Sequence, residues 1–241
     1  MFSFFQKKRY LVDLLGGFTD FHNHILPGID DGAKDVEESI ELIEEFSKIG
    51  VENFVCTPHV MGEYYPNTPE SIKKALDNLK SNTSVKLSAS GEYMMDQQFS
   101  EIIEKGEILP IVETKVLVEM SYFQAPINLN EILFKLQNHS YSPILAHPER
   151  YVYFHSSSME KYKDFKTRGC AFQLNMLSLI GHYGTNIQHK AFKLLEAGMI
   201  DFISSDAHRL EHIEKIKTIS IKKKHLPILE GVIENSKNLF L

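Results

Sequence analysis

The chain has 241 residues, of which 43% are hydrophobic and 24% charged, and its formal net charge at pH 7 is −6. This length fits one large α/β domain or two small ones, and the composition is that of an ordinary soluble protein. No apolar run approaches the roughly 20 residues of a bilayer-spanning helix, so no integral membrane segment is expected. The negative charge disfavours nucleic acid as the main partner.

The first 17 residues combine aromatic and basic side chains without a continuous apolar stretch and cleavage site, so a secretory signal is not expected. We predict that residues 1–17 form an arm packed on one main domain, residues 18–241. The alternative for this segment is a membrane-surface role for Phe2, Phe4, Phe5 and the basic cluster Lys7, Lys8 and Arg9.

From Phe18 onward, short apolar runs alternate with segments of helical period, the pattern of repeated βα units. A helix is predicted between Asp35, as N-cap with Glu38 as capping-box partner, and the stop at Gly50. A second helix is predicted after Thr68, with Pro69 at its first position, and a later one ends before Gly198. The predicted strands are Phe18–His22, Asn53–Thr57, Val85–Ser90, Lys115–Glu119, Ser142–Ala146, Ala171–Asn175 and Asp201–Ser205. Such units either close into a barrel or form an open sheet, and functional side chains after strand upon strand favour the barrel.

The two cysteines, Cys56 and Cys170, each lie inside an apolar segment. Two isolated cysteines favour reduced thiols and a cytoplasmic location over a disulfide framework. Neither has an arginine six positions later, so the signature of phosphatases with a cysteine nucleophile is missing.

Six of the seven predicted strands finish on a side chain that suits a divalent metal. His22 and His24, in "FTDFHNHILPGIDDG", are two apart in an extended segment and therefore project from the same face. Each such residue alone is more often hydrogen-bonded or solvated, but together they converge on one rim and predict a metal site. Two or three divalent ions are expected, and the mixed imidazole and carboxylate ligands suit manganese, iron or zinc more than calcium without choosing among them, with magnesium as a further alternative. The candidates after the later strands are His59, Glu92, Glu119, His147, Asp206 and His208.

The motifs "DFHNHILPGIDDG", "TPH", "GEY", "VEMS", "AHPERY" and "SSDAH" resemble those of the PHP (polymerase and histidinol phosphatase) metallo-hydrolases. Within them the chain most resembles the bacterial protein tyrosine phosphatases of capsule and exopolysaccharide clusters. The resemblance implies a distorted (β/α)7 TIM-like barrel with a trinuclear centre. It implies one metal at His22, His24, Glu92 and Asp206, a second at His59, Glu92 and His147, and a third at Asp31, Glu119 and His208.

The resemblance also assigns residues in the loop after the first strand. Asp31 is chosen as the ligand because it directly precedes the glycine of "IDDG", and Asp30 is the alternative. Gly32 is expected to let the chain turn towards the helix after Asp35. Glu92 would bridge the first two metals.

The resemblance implies hydrolysis of phosphotyrosine by a metal-bridging hydroxide, with a bacterial tyrosine kinase that regulates polysaccharide synthesis as the substrate. Arg150, in "HPER", would neutralise phosphate oxygens, and the alternative for it is a surface ion pair with Glu149. His208 could protonate the leaving oxygen if it is not committed to a metal. Further substrate-binding candidates are Arg209, Tyr64 and Tyr65, although aromatic rings also serve to pack loops.

Three other functions remain open from the sequence. The same centre could act on a small phosphate ester such as histidinol phosphate, and a nuclease role is disfavoured by the charge. A catalytically silent PHP barrel could serve as a scaffold, although the full ligand set speaks against it. The sequence gives no prediction of oligomeric state.

Overall fold

The computed structural model describes residues 8–155 and 159–241. The strands in these ranges are β1 (Arg9–Tyr10), β2 (Phe18–Asp20), β3 (Val51–Cys56), β4 (His59–Val60), β5 (Lys86–Ala89), β6 (Glu92–Met94), β7 (Lys115–Glu119), β8 (Ser142–Ala146), β9 (Ala171–Asn175), β10 (Phe202–Ser204) and β11 (Ser220–Ile221). The helices are α1 (Val36–Ser47), α2 (Pro69–Lys80), α3 (Gln97–Lys105), α4 (Leu129–Asn138), α5 (Glu160–Thr167), α6 (Thr185–Glu196), α7 (Leu210–Lys217) and α8 (Leu226–Asn238). Short 3-10 helices lie at Leu11–Leu14, Pro148–Arg150, Val152–Phe154 and Met176–Ile180.

The predicted strands and helices are confirmed, with small shifts at their ends. The Asp35 carboxylate accepts a hydrogen bond from the Glu38 backbone N–H at 2.9 Å, which caps the first turn of α1. The capping-box role of Glu38 was wrong, because its carboxylate accepts from the backbone N–H of Lys34, which lies within its reach one residue before the cap. Thr68 and Pro69 open α2 as expected.

Nine strands form two parallel sheets, while β1 and β11 pair antiparallel. The six-stranded sheet has the order β10-β9-β8-β7-β6-β4, and the three-stranded sheet has the order β2-β3-β5. Neighbouring strands in both are parallel, as α/β connections require. The protein is therefore an α/β protein with parallel sheets.

Two strands change sheet part-way along their length. Only Thr57 and Pro58 separate β3 from β4, and only Ser90 and Gly91 separate β5 from β6. The Ser90 N–H donates to Cys56 O at 2.8 Å and the Glu92 N–H to Pro58 O at 2.9 Å, so pairing continues across both breaks. We call these two breaks the seam between the sheets.

The outer strands β2 and β10 also approach each other. The segment after β2 forms a parallel bridge between Asn23 and Ala207. The Asp206 N–H donates to His22 O at 2.7 Å, and the His24 N–H donates to Ala207 O at 3.0 Å. The edges of the two sheets are thus connected beyond β2 and β10.

Both faces of the central strands are buried. In β7, Val116 and Val118 belong to the main core beneath the helices, whereas Leu117 points to the other face. There it joins a smaller cluster with side chains from both sheets, including Phe21 and Val55. Continuous apolar runs are expected of parallel strands covered on both sides.

The described part of the N-terminal segment packs against the rest of the chain. Leu11 and Leu15 are fully buried in the main core, and the Leu11 N–H donates to Ile219 O at 2.9 Å. The aromatic and basic residues of the membrane-surface alternative that precede Lys8 lie outside the described residues. None of the described helices has the length and apolar character of a membrane span.

Candidate metal centre

The predicted ligands meet along the seam and at the ends of the neighbouring strands. Two of them sit differently from the prediction, because His59 begins β4 and Glu92 begins β6. Each therefore follows a sheet change rather than ending the strand before it. The remaining candidates lie beyond or at the ends of β2, β7, β8 and β10.

Eight of the nine predicted ligands fall into three groups in which the ligand atoms lie within 4.8 Å of one another. Some residues belong to two groups, as expected if neighbouring ions share ligands. The three groups are His22, His24, Glu92 and Asp206; His24, Asp31, His59 and His208; and His59, Glu92 and Glu119.

The first group coincides with the predicted first metal, but the other two divide the ligands differently. Glu119 lies 2.9 Å from His59 Nδ1 and is grouped with His59 and Glu92 rather than with Asp31 and His208. His147 falls outside the three groups, yet its Nε2 is 3.1 Å from Glu92 Oε1. Glu92 contacts the rings of four histidines, which places it at the middle of the centre.

Several buried ligand atoms lack a hydrogen bond although a counterpart lies close by. His22 Nε2 is 3.1 Å from Glu92 Oε1 and His59 Nδ1 is 3.0 Å from Glu92 Oε2, but the bond angles do not suit hydrogen bonding. Unpartnered buried polar atoms are costly and rare. Imidazole nitrogens and carboxylate oxygens that face a common point fit a divalent cation. The buried unpartnered atoms that belong to the three groups are His22 Nε2, His24 Nε2, His59 Nδ1, Glu92 Oε2 and Glu119 Oε1.

The electrostatics of the centre also favour cations. Burial by itself would raise the pKa of the Glu92 carboxyl, but the His22 and His59 rings hold that pKa well below its usual range. Burial likewise opposes protonation of His22, yet Glu92 and Asp206 raise its pKa well above normal. Buried carboxylates therefore require positive charge, which metal ions can supply in place of protons.

Two of the candidate ligands adopt left-handed backbone conformations that are uncommon outside glycine. The φ angle is +36° at His147 and +51° at Asp206. Such conformations cost of order 1–3 kcal/mol each and cluster at functional sites. His147 directly follows β8, and Asp206 lies two residues after the end of β10, so both conformations occur where strands of the six-stranded sheet end.

The two adjacent aspartates of "IDDG" have different surroundings. Asp30 accepts from Gly32 N–H, and its Oδ2 lies 2.7 Å from His24 Nδ1, so its carboxylate orients the ring of the candidate ligand His24. Asp31 Oδ1 instead faces His208 Nε2 at 3.4 Å and His59 Nε2 at 3.6 Å. These surroundings favour Asp31 over Asp30 as the ligand.

Gly32 is required for a different reason from the predicted turn. Its backbone φ does not lie in the left-handed region, so any residue could adopt this conformation. A Cβ at Gly32 would lie 2.6 Å from His24 Cβ and closer still to the His24 carbonyl oxygen. Close approach of two backbone segments, rather than turn conformation, therefore requires glycine here.

Two buried residues that contact candidate ligands were not predicted from the sequence. They lie on the one predicted strand that ends without a candidate ligand. Gln173 Oε1 is 2.8 Å from His22 Nδ1, and Asn175 Nδ2 donates to Asp206 Oδ2 at 2.7 Å. Both lie on β9, two residues apart and fully buried. Two polar residues on one face of a predicted buried strand were the available signal.

Arg150 points into the centre rather than to the surface ion pair considered for it. Its Nη1 donates to Asp206 Oδ2 at 2.7 Å, and 17% of its side chain remains exposed. Glu149 is fully buried elsewhere and accepts from Asn175 N–H and Ser178 Oγ. The alternative pairing of Arg150 with Glu149 is therefore wrong, because the neighbouring side chains point to different partners.

The other substrate-binding candidates lie at different distances from the centre. Tyr65 stacks on the His59 ring, with centroids 5.5 Å apart, whereas Tyr64 is 81% exposed. Arg209 is exposed at the start of α7, next to His208. The centre opens on the side of His59, His208 and the half-exposed Asp31.

The family model described as capsular polysaccharide synthesis, CpsB/CapC, matches residues 18–225. The chain belongs to the CpsB/CapC family. The family resemblance predicted from the six sequence motifs is thereby confirmed.

Named CpsB/CapC relatives match most of the chain. It is 31% identical over 229 residues to "Putative tyrosine-protein phosphatase CapC" of Staphylococcus aureus, covering 91% of this chain and 89% of the relative. It is 30% identical over 198 residues to tyrosine-protein phosphatase YwqE of Bacillus subtilis, covering 80% of this chain and 78% of the relative.

Solved structures also resemble this chain. One, described as YwqE from Bacillus subtilis and CpsB from Streptococcus pneumoniae, unique metal-dependent tyrosine phosphatases, has a TM-score of 0.80 at 27% identity and covers 92% of this chain and 93% of that one. The phosphotriesterase homology protein of Escherichia coli shares the fold alone, with a TM-score of 0.57 at 14% identity over 95% and 100% of the two chains.

The two cysteines of this CpsB/CapC chain are buried thiols. Cys56 and Cys170 are buried and unpaired. Burial raises the pKa of the Cys170 thiol to about 12 and raises that of Cys56 further. Neither thiol is therefore suited to act as a nucleophile, because the thiolate is the reactive form.

Proposed function

We propose that the protein is a metal-dependent protein tyrosine phosphatase that uses two or three divalent ions, manganese first. The observation that carries the proposal is the set of buried, unpartnered imidazole and carboxylate atoms that face one another at the strand ends. Family membership supports phosphatase chemistry for this set. The ions would be held by His22, His24, Asp31, His59, Glu92, Glu119, His147, Asp206 and His208.

We further propose that the two sheets form one distorted (β/α)7 barrel, residues 18–241, with residues 1–17 as an arm. The seam and the bridge beyond β2 and β10 support a closed arrangement of seven strand positions. In such a barrel the site lies beyond the carboxyl ends of the strands. The candidate ligands occupy that end.

The residues of the chain then have distinct roles. Bound divalent ions would lower the pKa of water from about 15.7 towards neutrality, which supplies hydroxide for attack on phosphorus. Arg150 would bind non-bridging phosphate oxygens with its planar fork and neutralise charge as it builds. Glu92, at the middle of the centre, would help to hold more than one ion. His208 would lie on the open side of the centre, next to the leaving oxygen.

The proposed substrate is phosphotyrosine in a protein, with a bacterial tyrosine kinase of polysaccharide synthesis as the candidate, in the cytoplasm. A phenolate leaving group has a reference pKa of about 10 and therefore needs little acid assistance. Tyr65, stacked on His59, and the exposed Tyr64 and Arg209 lie on the substrate side.

Activity against a phosphotyrosyl peptide is expected to disappear with EDTA and to return when Mn²⁺ is added, because the ligand set requires divalent ions. The purified chain is assayed with the peptide and with histidinol phosphate across a Mn²⁺ series, alongside metal analysis. A preference for histidinol phosphate would replace the proposed substrate by a small phosphate ester. Absence of activity on both, with metal bound, would favour a scaffold role.

Phosphatase activity is also expected to survive iodoacetamide, since both thiols are buried and protonated. The measurement compares the peptide turnover rate before and after treatment of the folded protein. A phosphatase with a cysteine nucleophile, treated in parallel, provides the positive control. Inactivation of this chain would contradict metal-dependent hydrolysis as its mechanism.

A further inference from the structure

The Arg150 guanidinium lies between two tyrosine rings. Its Cζ is 4.1 Å from the centroid of the Tyr183 ring and 4.5 Å from that of Tyr122. Both distances are well within the 6 Å range of cation–π attraction. Tyr122 comes from the loop after β7, and Tyr183 from the segment between Met176–Ile180 and α6.

Each ring is fixed by a contact at its hydroxyl. The Tyr183 hydroxyl accepts from Asn175 Nδ2 at 3.0 Å, and the same amide nitrogen donates to Asp206 Oδ2 at 2.7 Å. The Tyr122 hydroxyl lies 3.4 Å from His147 Nε2. Asn175 therefore fixes the position of the Tyr183 ring, which contacts Arg150, relative to the Asp206 carboxylate.

The chain around Tyr183 supports a fixed position for this ring. Gly181 and Gly184 bracket it with φ values of +76° and +100°, a conformation that side chains rarely adopt. The Gly184 N–H donates to Gly181 O at 2.9 Å, which closes a tight turn. Tyr122, in contrast, is 42% exposed. We call the space between the Tyr122 and Tyr183 rings, which the Arg150 guanidinium occupies, the slot, and Tyr122 lies on its solvent side.

We propose that Tyr122 and Tyr183 are positioning residues that hold the Arg150 guanidinium in one plane for a two-point contact with a phosphate group. This inference rests on the proposed function. A guanidinium has five N–H groups, and the hydrogen bond of Arg150 to the described protein residues uses Nη1. Confinement between two rings orients the guanidinium edge that does not contact Asp206 before phosphate binds. Less side-chain conformational entropy is therefore lost on binding.

The experiment measures orthophosphate affinity by calorimetry and KM and kcat for a phosphotyrosyl peptide, with metal content and melting temperature recorded for each variant. Tyr183→Leu and Tyr122→Leu are expected to weaken orthophosphate binding and raise KM by about 3- to 30-fold, the range of a lost cation–π contact. Tyr183→Phe and Tyr122→Phe keep the rings but lose the hydroxyl contacts, so their orthophosphate affinity and KM are expected to lie closer to wild type than those of the matching Leu variants.

The Arg150→Ala background separates positioning from a general structural role. There, Tyr183→Leu is expected to change orthophosphate affinity less than about twofold, because the group it positions is gone. An equal effect with and without Arg150, or Leu variants that match the Phe variants, would overturn the inference. A wild-type protein that binds orthophosphate but lacks phosphatase activity would overturn the proposed function instead.

Discussion

Glu92→Gln is expected to lower phosphatase activity at least about 100-fold and to reduce the bound metal, because the Glu92 carboxylate is in contact with four histidine rings. Glutamine has nearly the same shape but removes the negative charge and one acceptor oxygen. His22→Ala is expected to act in the same direction, since it removes a ligand of the first group. Peptide turnover and metal analysis of the purified variants test this expectation.

Glu131→Gln provides the matched control. Glu131 is an exposed residue of α4 whose partner is Lys135 at 3.4 Å, and surface pairs of this kind contribute about 0–1 kcal/mol. This variant is expected to keep wild-type activity and metal content. Full activity in both Glu92→Gln and His22→Ala would refute the proposed centre.

Gly32→Ala is expected to lower the free energy of unfolding by about 2–3 kcal/mol, the upper range for overpacked sites, and to reduce activity more than about tenfold. The added methyl group would collide with the backbone and Cβ of His24, which no change of rotamer can relieve. The His24 carbonyl also accepts from Ala33 N–H at 3.0 Å, so its displacement opens the loop. Denaturant unfolding and peptide turnover measure the two effects.

Gly231→Ala is the control for this substitution. Gly231 lies inside α8, and a Cβ there would meet no atom within 4 Å. It is expected to raise the free energy of unfolding by about 0.5–1 kcal/mol and to leave activity unchanged. Wild-type stability and activity for Gly32→Ala would show that the contact with His24 does not hold the ligands in place.

The sequence predicted the strands and the ligand candidates because both depend on local patterns. Short apolar runs specify buried strands, and His22 and His24 share a face whatever the surrounding fold. The N-caps of α1 and α2, Asp35 and Thr68, required no tertiary information either. The part of the site that follows from strand ends was therefore predictable.

The division of ligands among the groups was not predictable in the same way. The side of the centre on which Glu119 lies depends on the pairing of β4 with β6 and of β6 with β7, which are contacts between distant segments. The slot around Arg150 brings together residues 122, 150 and 183 from three separate connections. No periodic pattern along the chain encodes such contacts, because they depend on how the connections fold back over the sheet.

The seam has a consequence for folding. His59 and Glu92 stand where the chain leaves the three-stranded sheet for the six-stranded one, and His22 and His24 follow β2 of the smaller sheet. Among their partners, Glu119 is the last residue of a strand of the larger sheet, and His147 and Asp206 follow strands of that sheet. A cation bound by both sets favours the state in which the two sheets are docked, so ligand binding and tertiary assembly are thermodynamically linked. The residues proposed for hydrolysis would then also act as a reversible cross-link between the part of the chain up to Glu92 and the remainder.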